Sequence, residues 1–171
     1  MPLLMLKDLP PYECLLEAAR KYPGLDPGAF GAFLNLLRTG DEVFSAEEDY
    51  LSGHGISHGR FMVMMLLQRP CADGEPCTPA SLAEECRVSR ATMTGLIDTL
   101  EKDGIVVRKG DKYDRRTLHV RLTPRGKTFI KKIVPGYFRC VSAVLKPLKN
   151  AERKQLVGLL QKIQAGLATR N

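Results

Sequence analysis

Apolar residues recur at three- and four-residue steps over most of this chain, so the pattern predicts helices broken by one short stretch of alternation. Pro10 and Pro11 open a first short helix over 10–22, lined on one side by Leu15, Leu16 and Ala19, and Pro23-Gly24 closes it. Asp26, as N-cap, and Pro27, at the first helical position, open a second, longer helix. Its stripe is Phe30, Phe33, Leu34, Leu37, Val43 and Phe44, with Gly40 a candidate bend and an end near Gly53-His54-Gly55. Ser57 caps a third helix over 58–68, rich in Phe61, Met62, Met64, Met65, Leu66 and Leu67. Two prolines and a glycine mark the stretch from Arg69 to Cys77 as a loop.

Thr78-Pro79 repeats the opening of cap and proline, and a helix over 79–86 follows with Leu82 and Ala83 inward. Arg87-Val88-Ser89 is a tight connection, with Ser89 capping a helix over 90–103 that buries Met93, Leu96, Ile97 and Leu100. Gly104 is placed to stop that helix in a left-handed conformation. The pattern then changes to two short strands, 105–108 and 117–122, joined by a polar tip from Lys109 to Arg116. Thr123-Pro124 opens a helix to about 145, which Pro135-Gly136 should kink or split. A last helix over 150–168 carries Leu156, Leu159, Leu160, Ile163 and Leu167. The fold class expected is mainly α (α+β).

The order helix, tight turn, helix, hairpin between 78 and 123 is that of a winged helix-turn-helix. Charge sharpens this reading. The net charge is +7, but residues 1–86 hold six Lys/Arg against thirteen Asp/Glu, and residues 87–132 hold thirteen against five. A basic centre beside an acidic N-terminal part suits a local polyanion partner. Off the buried stripe of helix 90–103 lie Ser89, Arg90, Thr92 and Thr94, at the end whose N–H groups favour phosphate and whose side chains can enter a major groove. Gly95 would let a backbone approach closely. In the tip, Lys109, Lys112, Arg115 and Arg116 place four cations within eight residues. The partner expected is double-stranded DNA, with the wing on the adjacent minor groove or backbone.

Other chemistries find little support. There is no G-x-S-x-G, glycine-rich phosphate loop or paired histidine–carboxylate motif, so an enzyme is not expected. With three histidines and no C-x-x-C, neither metal nor other cofactor is expected. The apolar start Leu3–Leu6 is interrupted at once by Lys7, Asp8 and two prolines, and no apolar run approaches the roughly 20 residues that span a bilayer. A cytoplasmic protein is expected, without a membrane partner. Five cysteines, an odd number at loose spacings, argue against a disulfide framework.

The segments L-A-E-E-C-R-V-S-R-A-T-M-T-G-L-I-D-T-L-E-K-D-G-I-V-V-R and D-R-R-T-L-H-V-R-L-T-P-R-G, in this order and spacing, resemble the MarR family of transcription regulators. The resemblance runs from roughly Leu51 to Gly126, and its most specific part is Asp114 and Arg116 followed by L-T-x-x-G at Leu122 to Gly126. It implies a homodimer on a pseudo-palindromic operator, acting as a repressor, with 90–103 as recognition helix and Arg116 in the minor groove. Asp114 would hold the wing in shape, and Asp98 would pair with a wing arginine. It divides the chain into N-terminal helices (1–56), a DNA-binding lobe (57–123) and C-terminal helices (124–171), the outer two for dimerisation. Their apolar stripes would otherwise face water. Helix 10–22 reads as an extension beyond the usual family core.

The resemblance also implies a small aromatic or phenolic effector in a cleft between the dimer helices and the DNA lobe. Candidate lining residues are Phe33, Leu37, His58, Phe61, Met62 and Met65, all of which equally suit a plain core. Arg38 and His58 are either anchors for an acidic ligand or surface residues. The alternative trigger is a redox-sensing cysteine. Of Cys14, Cys71, Cys77, Cys86 and Cys140, only Cys86 has an adjacent cation, Arg87.

Overall fold

The computed structural model describes residues 2–68, 77–110 and 117–169. The chain divides into two compact units, Met1–Ser57 and His58–Asn171.

The first unit holds α1 (Tyr12–Lys21) and α2 (Pro27–Ser52). Asp26 caps α2 as its sequence demands, accepting from the backbone N–H groups of Gly28 at 2.8 Å and Ala29 at 3.0 Å. Buried Leu15 of α1 lies over Gly31 of α2, where a Cβ would stand 3.5 Å from its Cδ1. Helix α2 does not break at Gly40. That glycine instead makes room for the N-terminal strap, since a Cβ there would lie 3.5 Å from Leu3 Cδ1.

One carboxylate latches the strap. The backbone N–H groups of Leu3 and Leu4 donate to Asp41 at 2.6 and 2.8 Å, and Arg38 donates to the Leu6 carbonyl. These two backbone hydrogen bonds are the main cause holding the Asp41 pKa below its usual value, with Arg38 adding to them. A depressed carboxylate stabilises the latched state above its unlatched pKa, near 4, and loses that effect as pH falls through the lower folded value. We therefore expect the Leu3 and Leu4 amide resonances to keep their latched shifts down to about pH 4 and to collapse toward coil values below it. Asp41→Ala should show the collapsed shifts at every pH.

The second unit contains α3 (His58–Leu66), α4 (Pro79–Glu85), α5 (Arg90–Lys102), β1 (Val106–Gly110), β2 (Leu118–Leu122), α6 (Pro124–Val144) and α7 (Asn150–Ala168). Its core joins Phe61, Val63 and Met64 of α3, Leu82 of α4, and Met93, Ile97 and Leu100 of α5. Val106 and Val120 of the hairpin and Ile130 and Ile133 of α6 complete it. Strands β1 and β2 are antiparallel, with Val106 opposite Leu122 and Arg108 opposite Val120. Phe61 packs on Tyr137, ring centroids 4.7 Å apart.

Two features refine the sequence expectation. Helix α6 runs through Pro135 without splitting. Cys77 is disulfide-bonded, while Cys14, Cys86 and Cys140 are in no disulfide. A loose cysteine count argues against a framework but says nothing of a single bridge.

Candidate nucleic-acid interface

The site is built from α4, the turn after it, α5 and the hairpin. Thr78 and Ser81 form a reciprocal capping box at the start of α4. Cys86 ends that helix, and Arg87 takes a left-handed φ of 52°. A side chain is strained there. The turn is tightened by hydrogen bonds from the Arg87 N–H to Glu84 O and the Val88 N–H to Ala83 O, both 3.0 Å. Ser89 then caps α5, its Oγ accepting from the Thr92 N–H at 3.1 Å and lying 2.8 Å from Thr92 Oγ1.

The buried stripe of α5 leaves Arg90, Thr92, Thr94, Gly95, Asp98 and Thr99 exposed. The Thr94 hydroxyl donates to Arg90 O at 2.9 Å, so outward it offers a methyl group and an acceptor. A Cβ on Gly95 would meet nothing within 4 Å, so packing within the chain does not require glycine there. The helix start supplies first-turn N–H groups and an exposed guanidinium, a combination suited to phosphate.

Gly104 ends α5 with a φ of +69°, the left-handed stop expected of it, and Ile105 leads into β1. Arg108 of β1 is held by two carboxylates of α5. Its Nη2 lies 2.5 Å from Asp98 Oδ1, its Nη1 2.5 Å from Glu101 Oε2, and its backbone N–H donates to Glu101 Oε1 at 2.9 Å. Burial pulls the Arg108 pKa down, but the hydrogen bonds to Asp98 and Glu101 outweigh it and leave the pKa raised. Sequence reasoning singled out Asp98 but missed Glu101 and Arg108. A carboxylate and a cation seven residues apart across a helix end carry no local periodic signal. At the same helix end, Arg60 of α3 pairs with Asp103 at 3.2 Å.

Of the predicted contact residues, Ser89, Arg90, Thr92 and Thr94 cluster at the start of α5, and Lys109 is exposed on β1. Lys112, Asp114, Arg115 and Arg116 lie outside the described residues. The effector candidates fall on two helices: Phe33, Leu37 and Arg38 on α2 of the first unit, and His58, Phe61, Met62 and Met65 on α3 of the second. Phe33 is exposed, Leu37, His58, Met62 and Met65 are half-buried, and Phe61 is fully buried. A surface cleft of about 460 Å³ opens between the end of α6 and α7, edged by Arg139, Lys146 and Arg153, and none of those candidates lines it. Burial, reinforced by Glu85, pushes the Cys86 thiol pKa up, away from the thiolate a redox sensor needs.

Two short helices across a four-residue turn, continued directly into a two-stranded hairpin and packed on one core, define a winged helix-turn-helix. Comparison with known proteins agrees. The sequence model of the MarR family matches residues 56–118. The HTH-type transcriptional repressor YetL of Bacillus subtilis (strain 168) is 35% identical over 155 residues, spanning 91% of this chain and 92% of YetL. The structure of S. aureus MepR in complex with DNA matches with a TM-score of 0.68 at 18% identity, over 79% of this chain and 96% of MepR. Bordetella bronchiseptica BpsR, whose DNA binding is regulated by 6-hydroxynicotinic acid, matches with a TM-score of 0.64 at 24% identity, over 75% of this chain and 89% of BpsR. The chain belongs to the MarR family of transcription regulators and has their winged-helix fold.

Proposed function

We propose that this protein is a homodimeric repressor that binds a pseudo-palindromic operator in duplex DNA and is released from it by a small aromatic or phenolic effector. The observation that carries the reading is the exposed edge of α5. Arg90, Thr92 and Thr94 stand beside the Ser89 cap on a helix whose other face is locked into the core. Short polar groups and an arginine at a helix start are the equipment of major-groove readout. Lys109, with Lys112, Arg115 and Arg116 of the tip, supplies the charge for backbone and minor-groove contact, and Asp114 shapes the tip. The repressor assignment draws on YetL, which carries that description.

The exposed apolar faces support the dimer. Helix α7 buries no residue, and Leu159, Ile163 and Leu167 are exposed along it. In the first unit Phe33 and Phe44 are exposed in the same way. Apolar surface on this scale favours a symmetric partner. The effector assignment draws on BpsR, and Phe33, Leu37, Arg38, His58, Phe61, Met62 and Met65 are the residues proposed to respond to it. A chain acting on genomic DNA works in the cytoplasm.

The test is fluorescence anisotropy with a duplex from upstream of the protein's own gene against scrambled DNA, at several salt concentrations. We expect selective binding that weakens steeply with salt. Arg116→Ala should weaken it on the order of tenfold or more. Unchanged affinity in that variant would favour a winged helix used for protein contacts.

One observation favours a second reading, a cysteine-based redox switch: the disulfide at Cys77. Thiol titration with and without reductant, alongside DNA affinity, separates the two. A redox switch requires affinity to change with the thiol count.

A further inference from the structure

Arg108 joins the hairpin to the recognition helix, and the two carboxylates that hold it are unequal partners. Asp98 takes one hydrogen bond, from Nη2, and its side chain is 59% exposed. Glu101 takes two, one from Nη1 and one from the Arg108 backbone N–H, and its side chain is 36% exposed. An exposed single ion pair is screened and contributes little. A carboxylate that grips both a guanidinium and the peptide N–H of one residue fixes that strand as well as that side chain. A two-stranded hairpin is marginally stable alone, so its pitch depends on what ties it to its neighbour. Its backbone tie to α5 besides this is at the helix end, where the Ile105 N–H donates to Leu100 O at 2.8 Å, while the Val120 N–H ties β2 to Cys77 O, ahead of α4, at 2.8 Å.

We infer that Glu101, rather than Asp98, is the residue that positions the wing hairpin against the recognition helix, so that helix and hairpin engage DNA together. The inference rests on the DNA-binding reading above. Glu101 itself does not touch DNA. It acts through Arg108, whose charge is spent on the clasp and is not offered to phosphate.

The experiment compares wild type, Glu101→Ala, Glu101→Gln and Asp98→Ala as full-length proteins, on a duplex that the wild type has selected from a random pool. Salt dependence of affinity and hydroxyl-radical footprinting are the DNA readouts. For Glu101→Ala, protection at the outer flanks of the site should fade while the central major-groove protection stays. Its log–log salt slope should fall by roughly 0.9 for each phosphate contact the hairpin loses. Glu101→Gln should recover part of both effects, because its amide oxygen still accepts the Arg108 N–H. Asp98→Ala should keep the wild-type slope and flanks. A merely structural loss would instead lower affinity evenly across the footprint. Wild-type slope and flanks in Glu101→Ala, or an equal loss in Asp98→Ala, overturns the inference.

Amide hydrogen exchange without DNA separates this inference from the reading beneath it. Exchange at Arg108 should accelerate in Glu101→Ala and not in Asp98→Ala, and equal protection in both overturns the inference by itself. Failure of the wild type to select any duplex would instead overturn the DNA-binding reading.

Discussion

Gly126→Ala should destabilise the second unit by about 1–3 kcal/mol or more, the cost of forcing volume into a close-packed site. Gly126 sits in the first turn of α6 and is buried. A Cβ built there runs into the carbonyl oxygen of Ile105 and also comes within 3.2 Å of Leu122 Cδ2. The carbonyl has little freedom to retreat, because it accepts the Thr123 N–H at 3.0 Å. Thr123 is committed as well: its hydroxyl donates to Gly104 O at 2.7 Å and accepts from the Gly126 N–H at 3.0 Å. Helix α6 can therefore approach the start of β1 this closely only over a residue without a side chain. Thermal unfolding checks it, with Gly24→Ala as control, since a Cβ on Gly24 meets nothing within 4 Å. A melting temperature that falls in neither variant would mean the approach of α6 to Ile105 is softer than described.

The same site shows what was legible in the sequence. Thr123-Pro124, Thr78-Pro79 and Asp26-Pro27 each announce a helix, and in each the first residue's side chain accepts a backbone N–H of the first turn. Ser89 does so without a proline, and its helix start falls where the pattern puts it. These signals are local, since cap and helix are covalent neighbours. The features that escaped are those whose partners are remote or atypical. The Leu3 and Leu4 amides reach Asp41, 38 and 37 residues away. The Glu101–Arg108 clasp crosses from helix to strand. Arg87 occupies a left-handed position that composition would assign to glycine or asparagine. Pro135 was read as a kink or a split, and the helix is not split there. The exposed residues of α5 were legible because its buried stripe dictates its other face. The effector candidates were less so, because Met and Phe at helical spacing suit a core as well as a ligand.

Phe61 carries that ambiguity in one side chain. Phe61→Ala should cost about 3–5 kcal/mol, the range for emptying a buried aromatic position. Phe61 has no exposed surface, and its ring packs on Tyr137 at 4.7 Å with planes inclined 52°, so truncation removes both transfer energy and an aromatic pair. Against a total stability of about 5–15 kcal/mol, this is a large share. The melting temperature should fall on the order of 10 °C or more. Met62→Ala and Met65→Ala, at half-buried positions of the same helix, should cost less. The contrast bears on function as well as stability. A residue that the core needs whole can respond to an effector only by shifting with its helix, whereas Met62 and Met65 can change their surroundings without breaking it. If effector sensitivity resides on α3, the methionine variants should alter the effector concentration that releases DNA while keeping the fold. Phe61→Ala should lose DNA binding at a lower temperature than the wild type, where its destabilised fold melts, with or without effector. A Phe61→Ala protein that melts like the wild type would show that the ring is not part of the core and would return it to the candidates for direct ligand contact.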